Sequence, residues 1–141
     1  MRIVVVGAGV VGFHLAERLS AESHKMTIID SDGELIHRID DRLNVQAIQG
    51  NAASPRILRQ AKVDSADLVI AVTDRDETNI TVSLLAKHLG AAKCVVRLRT
   101  AELSGNSQLM EKYGADATVN PIAPKASIGT PSSARASTAP L

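Results

Sequence analysis

Cysteine and aromatic residues are nearly absent from this chain of 141 residues, which has one cysteine, one tyrosine, one phenylalanine and no tryptophan. One cysteine cannot form an internal disulfide, which suits a reducing compartment. Proteins that bind single-stranded nucleic acid by base stacking need several exposed rings, so this composition argues against that function. Long apolar runs are also missing. The first apolar run covers only residues 3–6 and ends at Gly7, so we expect neither a signal sequence nor a membrane span.

An excess of positive charge is absent as well. The 16 Lys and Arg residues against 15 Asp and Glu residues give a net charge of +1, whereas a protein that grips phosphate backbones needs a basic face. We therefore expect no nucleic-acid partner. Hydrophobic residues make up 45% of the chain, which is typical of a globular domain, and the length allows one such domain.

The composition changes near Pro121. Fifteen of the twenty residues over 122–141 are Ala, Ser, Thr, Pro or Gly, and no apolar period continues there. We expect a folded domain over 1–121, and over 122–141 a disordered tail or the remainder of a truncated segment.

Within 1–121, short runs rich in Val and Ile alternate with helical patterns. This order predicts an α/β fold: a Rossmann-like, doubly wound, parallel six-stranded sheet with helices on both faces. Ser54 and Pro55 form a helix start, Asp74 or Asp76 is expected to cap the fourth helix, and Gly90 to end it. The predicted strands are Ile3–Val6, Met26–Ile29, Val45–Ile48, Leu68–Val72, Cys94–Leu98 and Ala117–Val119, and the predicted helices are Val11–Glu22, Glu34–Leu43, Pro55–Ala61, Glu77–Leu89 and Ser107–Tyr113.

A glycine motif, GAGVVG, follows the first predicted strand and opens the first predicted helix. In this context Gly7 makes the tight turn, Gly9 leaves room for a pyrophosphate, and Gly12 lets the helix pack close to the strand. The helix N-terminus offers free N–H groups to the anion. The candidate binding turn comprises Gly7, Ala8, Gly9, Val10, Val11 and Gly12.

Asp30 ends the second predicted strand, 18 residues after Gly12. A carboxylate there accepts hydrogen bonds from an adenosine ribose diol and repels a 2′-phosphate. Ser31 and Asp32 follow, with no arginine to receive that phosphate, and Asp32 is expected to cap the next helix. The pattern favours NAD(H), or another adenosine ligand with a free 2′-hydroxyl, over NADP.

Two more strand ends point to the same edge of the sheet, because ligands of open α/β sheets bind beyond the carboxyl ends of the strands. Asn51 and Ala52 follow the third strand and could flank an adenine. Thr73 and Asp74 follow the fourth. Arg97 ends the fifth strand and could reach a phosphate, although each of these segments also fits an ordinary loop.

No catalytic constellation is evident. The four histidines lie in helices or beside them, Ser54 is explained as a helix cap, and Cys94 lies in an apolar strand as an inert thiol. We therefore expect no enzyme. The alternative is a fragment of an NAD-dependent oxidoreductase that keeps only its cofactor-binding domain, since a glycine turn and an acidic residue serve equally well there.

Several segments together resemble a known family: MRIVVVGAGVVGFHLAERLS, TIIDSD, QGNAASPRILRQA and DLVIAVTDRDETNI. They are similar to the RCK (or KTN) domain, the N-terminal nucleotide-binding domain of TrkA-type potassium transport regulators. The resemblance extends from Met1 to about Pro121. The most specific segment is residues 71–79, which a generic dehydrogenase has no reason to carry.

The resemblance implies a cytosolic NAD(H)-binding domain that is peripheral to the plasma membrane and gates a membrane potassium transporter. It assigns the glycine turn to the pyrophosphate and Asp30 to the adenosine ribose, and Ser31 is a candidate cofactor-binding residue beside them. Asn51 and Ala52 would lie near the adenine. The remaining groove is assigned to Thr73 and Asp74, and Arg97 matches an arginine that reaches toward phosphates. Asn79 is a further candidate cofactor-binding residue.

Regulation by ATP or ADP stays open, although Val10 and Val11 stand where some ATP-binding relatives place an arginine. Members of the family usually continue into dimer-forming helices and a C-terminal lobe, in place of which this chain has the segment 122–141. A homodimer or larger homo-oligomer is therefore expected of a full-length protein.

Overall fold

A computed structural model of the chain describes residues 1–120, and the predicted tail over 122–141 lies outside this range. Within it, six strands form one sheet in which every neighbouring pair is parallel, as the sequence predicts. They are β1 (Arg2–Val6), β2 (Lys25–Asp30), β3 (Gln46–Gln49), β4 (Leu68–Ala71), β5 (Cys94–Arg97) and β6 (Ala117–Val119).

Helices connect the strands. No helix within residues 1–120 is both long and apolar enough to cross a membrane. A 3-10 turn, Val63–Ser65, precedes β4. The α-helices are α1 (Val10–Ser20), α2 (Gly33–Arg42), α3 (Pro55–Gln60), α4 (Asp76–Leu89), α5 (Ala101–Ser104) and α6 (Ser107–Lys112).

The sheet separates two hydrophobic clusters, and β1 contributes side chains to both. Val4 and Val6 pack into the cluster that α3, α4 and α6 cover, whereas Ile3 and Val5 pack into the cluster that α1 and α2 cover. All four side chains are buried. This two-sided burial explains why β1 is a continuous apolar run, and it confirms the predicted helices on both faces.

In the strand order β3-β2-β1-β4-β5-β6, strands are added on one side of β1 first and then on the other side. The chain builds outward from β1 to β3, crosses over through α3, and builds outward again from β4. The connections after β1 and β4 therefore leave opposite faces of the sheet, and a crevice opens between them at the carboxyl edge.

Some helix boundaries differ from the prediction. The short helix α5 was not predicted, because four residues are too few to show an apolar period. α1 ends at Ser20 rather than Glu22, since the chain turns there and Ser23 takes a φ of +66°. The caps proposed for α4 are wrong: Arg75 occupies the N-cap position without a side-chain bond, and Asp76 lies inside the helix.

Candidate functional site

A cleft of about 420 Å³ opens at the carboxyl edge of the sheet, in the crevice between β1 and β4. The ends of the first four strands form its walls. Predicted site residues in the lining are Gly7, Gly9, Asp30, Ser31, Asn51, Ala52, Thr73 and Asp74, and the lining also includes Val6, Ile29, Asp32, Leu35, Gly50, Val72, Arg75 and Thr78.

The glycine turn has the geometry that its spacing predicts. Gly7 has a φ of +112°, and a Cβ there would come within 3.0 Å of the Thr73 nitrogen. A Cβ on Gly12 would overlap the carbonyl oxygen of Gly7, so this residue permits the close packing of α1 against the turn. Gly9 faces open space, because a Cβ at this position would have no neighbouring atom within 4 Å. A phosphate group can therefore approach the backbone there.

The N-terminus of α1 points its free backbone donors toward the turn. Gly9 is the N-cap, and no side chain caps the helix. The first N–H groups of an α-helix have no partner inside the helix, and the macrodipole adds partial positive charge. Val10 is 74% exposed and Val11 packs on the α1–α2 side of the core, so these two residues contribute backbone rather than side chain.

Asp30 ties the glycine turn to the end of β2. Its Oδ2 accepts the N–H of Ala8 at 2.7 Å, and its Oδ1 accepts the N–H of Asp32 at 2.8 Å. A carboxylate has about four lone-pair sites, so acceptor capacity remains for a ribose diol. Asp32 caps α2 as predicted, because its Oδ1 accepts the N–H groups of Glu34 and Leu35.

The end of β3 forms the wall beyond Asp30. Asn51 is exposed, and its Oδ1 accepts the N–H of Ala53 at 2.9 Å, which shapes a local turn. Ala52 is buried and lines the cleft. A Cβ on Gly50 would come within 2.7 Å of Ile57 Cδ1, so a larger residue at this position would require the Ile57 side chain to shift.

The segment after β4 forms the opposite wall. Thr73 and Asp74 line it as predicted, and Arg75 and Thr78 join them. The last two were not predicted as site residues, although their place at a strand-to-helix junction was the available indication. Arg75 is the cationic side chain among the lining residues, which otherwise carry the carboxylates of three aspartates.

Asn79 and Arg97 lie behind this wall rather than in it. Asn79 is 0% exposed, and Arg97 directs Nη1 to the carbonyl oxygens of Val72 and Thr73 at 3.5 and 3.3 Å. The Nε atom of Arg97 is buried and has no hydrogen-bond partner within residues 1–120. Both residues therefore support the wall that Thr73 forms.

The cysteine thiol and the histidine imidazoles of residues 1–120 lie away from the cleft. Cys94 is buried in β5, and burial raises the pKa of its thiol to about 11, as expected of an inert cysteine. His14 and His37 are exposed on helices beside Glu17 and Asp41. No group of three or more His, Cys, Asp or Glu side chains within residues 1–120 is placed to hold a metal ion.

The fold and the cleft define a Rossmann-type domain with a glycine turn at its switch point. The TrkA-N domain family model matches residues 3–121, which is most of the chain. The chain belongs to the TrkA-N family, and the resemblance seen in the sequence is thereby confirmed.

Two relatives illustrate the match. The chain is 46% identical over 102 residues to the Trk system potassium uptake protein TrkA homolog of Archaeoglobus fulgidus, covering 72% of the chain and 23% of that protein. It is 33% identical over 126 residues to the Trk system potassium uptake protein TrkA of Vibrio alginolyticus, covering 89% and 28%. The chain thus spans about a quarter of the length of these relatives.

Solved structures share the fold. The TrkA-N domain of the Escherichia coli inner membrane protein ybaL superposes with a TM-score of 0.76 at 21% identity, over 85% of this chain and 87% of that one. The GsuK channel bound to NAD gives 0.73 at 16% identity, over 84% and 21%. The Shewanella denitrificans Kef C-terminal domain in its AMP-bound form gives 0.71 at 21% identity, over 85% and 71%.

Proposed function

We propose that this chain is the regulatory nucleotide-binding domain of a Trk-type potassium transport system and that NAD(H) is its ligand. The observation that carries the proposal is the cleft itself: a glycine turn, a carboxylate at the end of β2 and the wall after β4 meet at one switch point. Family membership supports the same function, since the relatives are Trk potassium uptake proteins.

In this proposal the two walls hold different parts of the ligand. Asp30 accepts the ribose hydroxyls, Ser31 lies beside them, and Asn51 and Ala52 flank the adenine. The pyrophosphate lies against the backbone of residues 7–12, where Gly9 leaves open space. Thr73 and Asp74 border the second half of a dinucleotide. NAD and AMP in the related GsuK and Kef structures support this class of ligand.

The charges of the cleft favour a ligand with few phosphates. Asp30, Asp32 and Asp74 line it together with one cation, Arg75. Each added phosphate brings negative charge toward those carboxylates, so a dinucleotide or a monophosphate fits better than a triphosphate. ADP or ATP is the second choice of ligand within the same regulatory function.

The regulatory step is a shift between conformations or pairings of the domain. A ligand can shift such an equilibrium only by binding one state more tightly, and a useful coupling is about 1–3 kcal/mol. We propose that the partner is a membrane potassium transporter and that the domain acts at its cytosolic face. A homodimer or larger homo-oligomer of the full-length protein would transmit the shift.

The decisive experiment is calorimetric titration of the purified chain with NADH, NAD⁺, AMP, ATP and NADPH. We expect NAD(H) to bind, and NADPH to bind at least about tenfold more weakly because its 2′-phosphate meets Asp30. No binding of any nucleotide at millimolar concentration contradicts the proposal.

The same samples test the oxidoreductase alternative, which no feature of the cleft favours. Incubation with NAD⁺ and a panel of alcohols and 2-hydroxy acids should give no increase in absorbance of NADH. Clear turnover would replace the regulatory function with a catalytic one.

A further inference from the structure

Asn79 is a polar side chain that the fold has enclosed completely. It lies in the first turns of α4 at 0% exposure. Its Oδ1 accepts the backbone N–H of Thr73 at 3.0 Å and the Thr73 hydroxyl at 2.7 Å. Its Nδ2 donates to the carbonyl oxygens of Thr73 at 3.1 Å and of Arg97 at 2.8 Å.

These four bonds use the whole capacity of a carboxamide, which has two donor hydrogens and two acceptor lone pairs. An aspartate at this position would keep the two acceptors and lose both donors. An apolar side chain would leave the Thr73 N–H and the Arg97 carbonyl oxygen without this partner and would remove one of the two donors to the Thr73 carbonyl oxygen, which is costly in a buried place. The site therefore requires asparagine for a reason internal to the protein.

Thr73, which donates two of the four bonds and accepts a third, is part of the cleft wall. Its nitrogen also lies where a Cβ on Gly7 would come within 3.0 Å, so the Thr73 peptide packs directly on the glycine turn. The preceding residue, Val72, donates its N–H to the carbonyl oxygen of Val6 at 2.8 Å and joins the wall to β1. A displaced Thr73 would change the β4 wall, whereas the turn stays bonded to β2 through the Gly7 N–H to the Ile29 carbonyl oxygen at 2.8 Å and the Ala8 N–H to Asp30 at 2.7 Å.

The helix that carries Asn79 is fixed at its own start. The Asp76 carboxylate is 8% exposed and accepts the backbone N–H groups of Arg99 and Thr100 at 2.9 Å each. These bonds anchor α4 to the chain that follows β5. Asn79 therefore lies on a helix that is anchored to the chain after β5, and it bonds Thr73 from that helix. This arrangement fixes the position of Asn79 relative to the sheet.

We infer that Asn79 is a positioning residue of the nucleotide cleft: it contacts no ligand, and it sets Thr73 and the β4 wall for the part of the ligand that lies beyond the adenosine. The inference rests on the proposed function and refines it. It follows that Asn79 matters for a dinucleotide, which spans both walls, and matters little for AMP, which Asp30, Asn51 and the turn hold.

The test is calorimetric titration of the wild type, Asn79→Ala and Asn79→Asp with NADH and with AMP. We expect the NADH affinity of both variants to fall about tenfold, the effect of about one net hydrogen bond, while the AMP affinity changes by about twofold at most. Asn106→Ala is the matched control, because the Asn106 side chain caps α6 through a bond to the Leu109 N–H at 3.0 Å, away from the cleft. It should leave both affinities unchanged.

The ratio of the two affinities separates positioning from general damage. Equal losses for NADH and AMP, or no loss for NADH, overturn the inference while the proposed function stands. A wild-type chain that binds neither ligand overturns the proposed function and the inference with it.

A second variant covers the case in which both Asn79 variants unfold. Asp76→Asn keeps the size of the side chain and leaves Asn79 in place, but it keeps one acceptor oxygen instead of two and so weakens the anchor of α4. We expect about a threefold loss for NADH and none for AMP, since part of the hydrogen bonding is retained. Unchanged NADH affinity in this variant overturns the inference.

Discussion

Replacing Asp30 by alanine should weaken the fold and abolish the discrimination between NADH and NADPH. The carboxylate performs two tasks. It accepts the N–H groups of Ala8 and Asp32 within the protein, and in the proposed function it accepts the ribose hydroxyls and repels a 2′-phosphate. Alanine removes both tasks at once, so one variant tests the internal geometry and the ligand preference.

The size of each effect follows from the geometry. Two hydrogen bonds to a charged group, at 2.7 and 2.8 Å, are lost from a half-buried position. At about 1–1.5 kcal/mol each, the free energy of unfolding should fall by about 2–3 kcal/mol. The loss of the ribose bonds should weaken NADH about tenfold to a hundredfold, and the NADPH affinity should approach that of NADH.

Urea unfolding followed by circular dichroism measures the first effect, and calorimetric titration measures the second. Asp40→Ala is the matched control, because Asp40 is an exposed aspartate at the far end of α2. It should change neither quantity. If Asp30→Ala unfolds at the wild-type urea concentration, or still rejects NADPH as strongly as the wild type does, the role given to this carboxylate is wrong.

Three further results are expected. Gly12→Ala should lower the free energy of unfolding by about 1–3 kcal/mol, whereas Gly9→Ala has open space and replaces only an N-cap glycine, so it should lower it less and should weaken NADH; equal stability of the two variants contradicts the close-packing argument. Cys94, whose pKa burial raises to about 11, should resist a thiol-labelling reagent at about pH 8 until urea is added, and rapid labelling of the native chain contradicts its burial. Burial raises the pKa of Asp76, but the N–H groups that donate to it outweigh this and lower its pKa. Its contribution to stability should therefore be complete above about pH 5 and decline as the pH falls through the lowered pKa, and Asp76→Asn should flatten that decline in acid titrations of unfolding.

The arrangement of strands and helices was predictable because each local pattern agreed with the global fold. The apolar run in β1 is continuous because both faces of this central strand are covered, and Ser54 with Pro55 begins α3 as its cap and first residue. Gly90 ends α4 with a φ of +118°, which only glycine adopts freely. The helix α5 escaped prediction because one turn of helix has no period to detect.

The cleft residues that follow the strands were predictable, because the ends of the strands were. Parallel strands all finish at one edge, so Asp30, Asn51 and Thr73 had to lie near each other once the sheet was recognised. Arg75 and Thr78 were missed because they lie at the start of the next helix, where only the orientation of α4 brings them to the cleft. The hydrogen-bond partners of the Asp76 carboxylate could not be predicted from the sequence either, since they lie 23 and 24 positions further along the chain.

The segment from Thr73 to Asn79 shows why a motif can mark a binding site without supplying every contact. Thr73 borders the space where a ligand would lie, whereas Asn79 is sealed behind it. From sequence spacing alone the two look equivalent, because both are polar and both belong to the segment that defines the family resemblance. Burial separates their roles: a side chain with all four hydrogen bonds satisfied inside the protein has nothing left to offer a nucleotide, so its effect on binding must pass through the residue it holds.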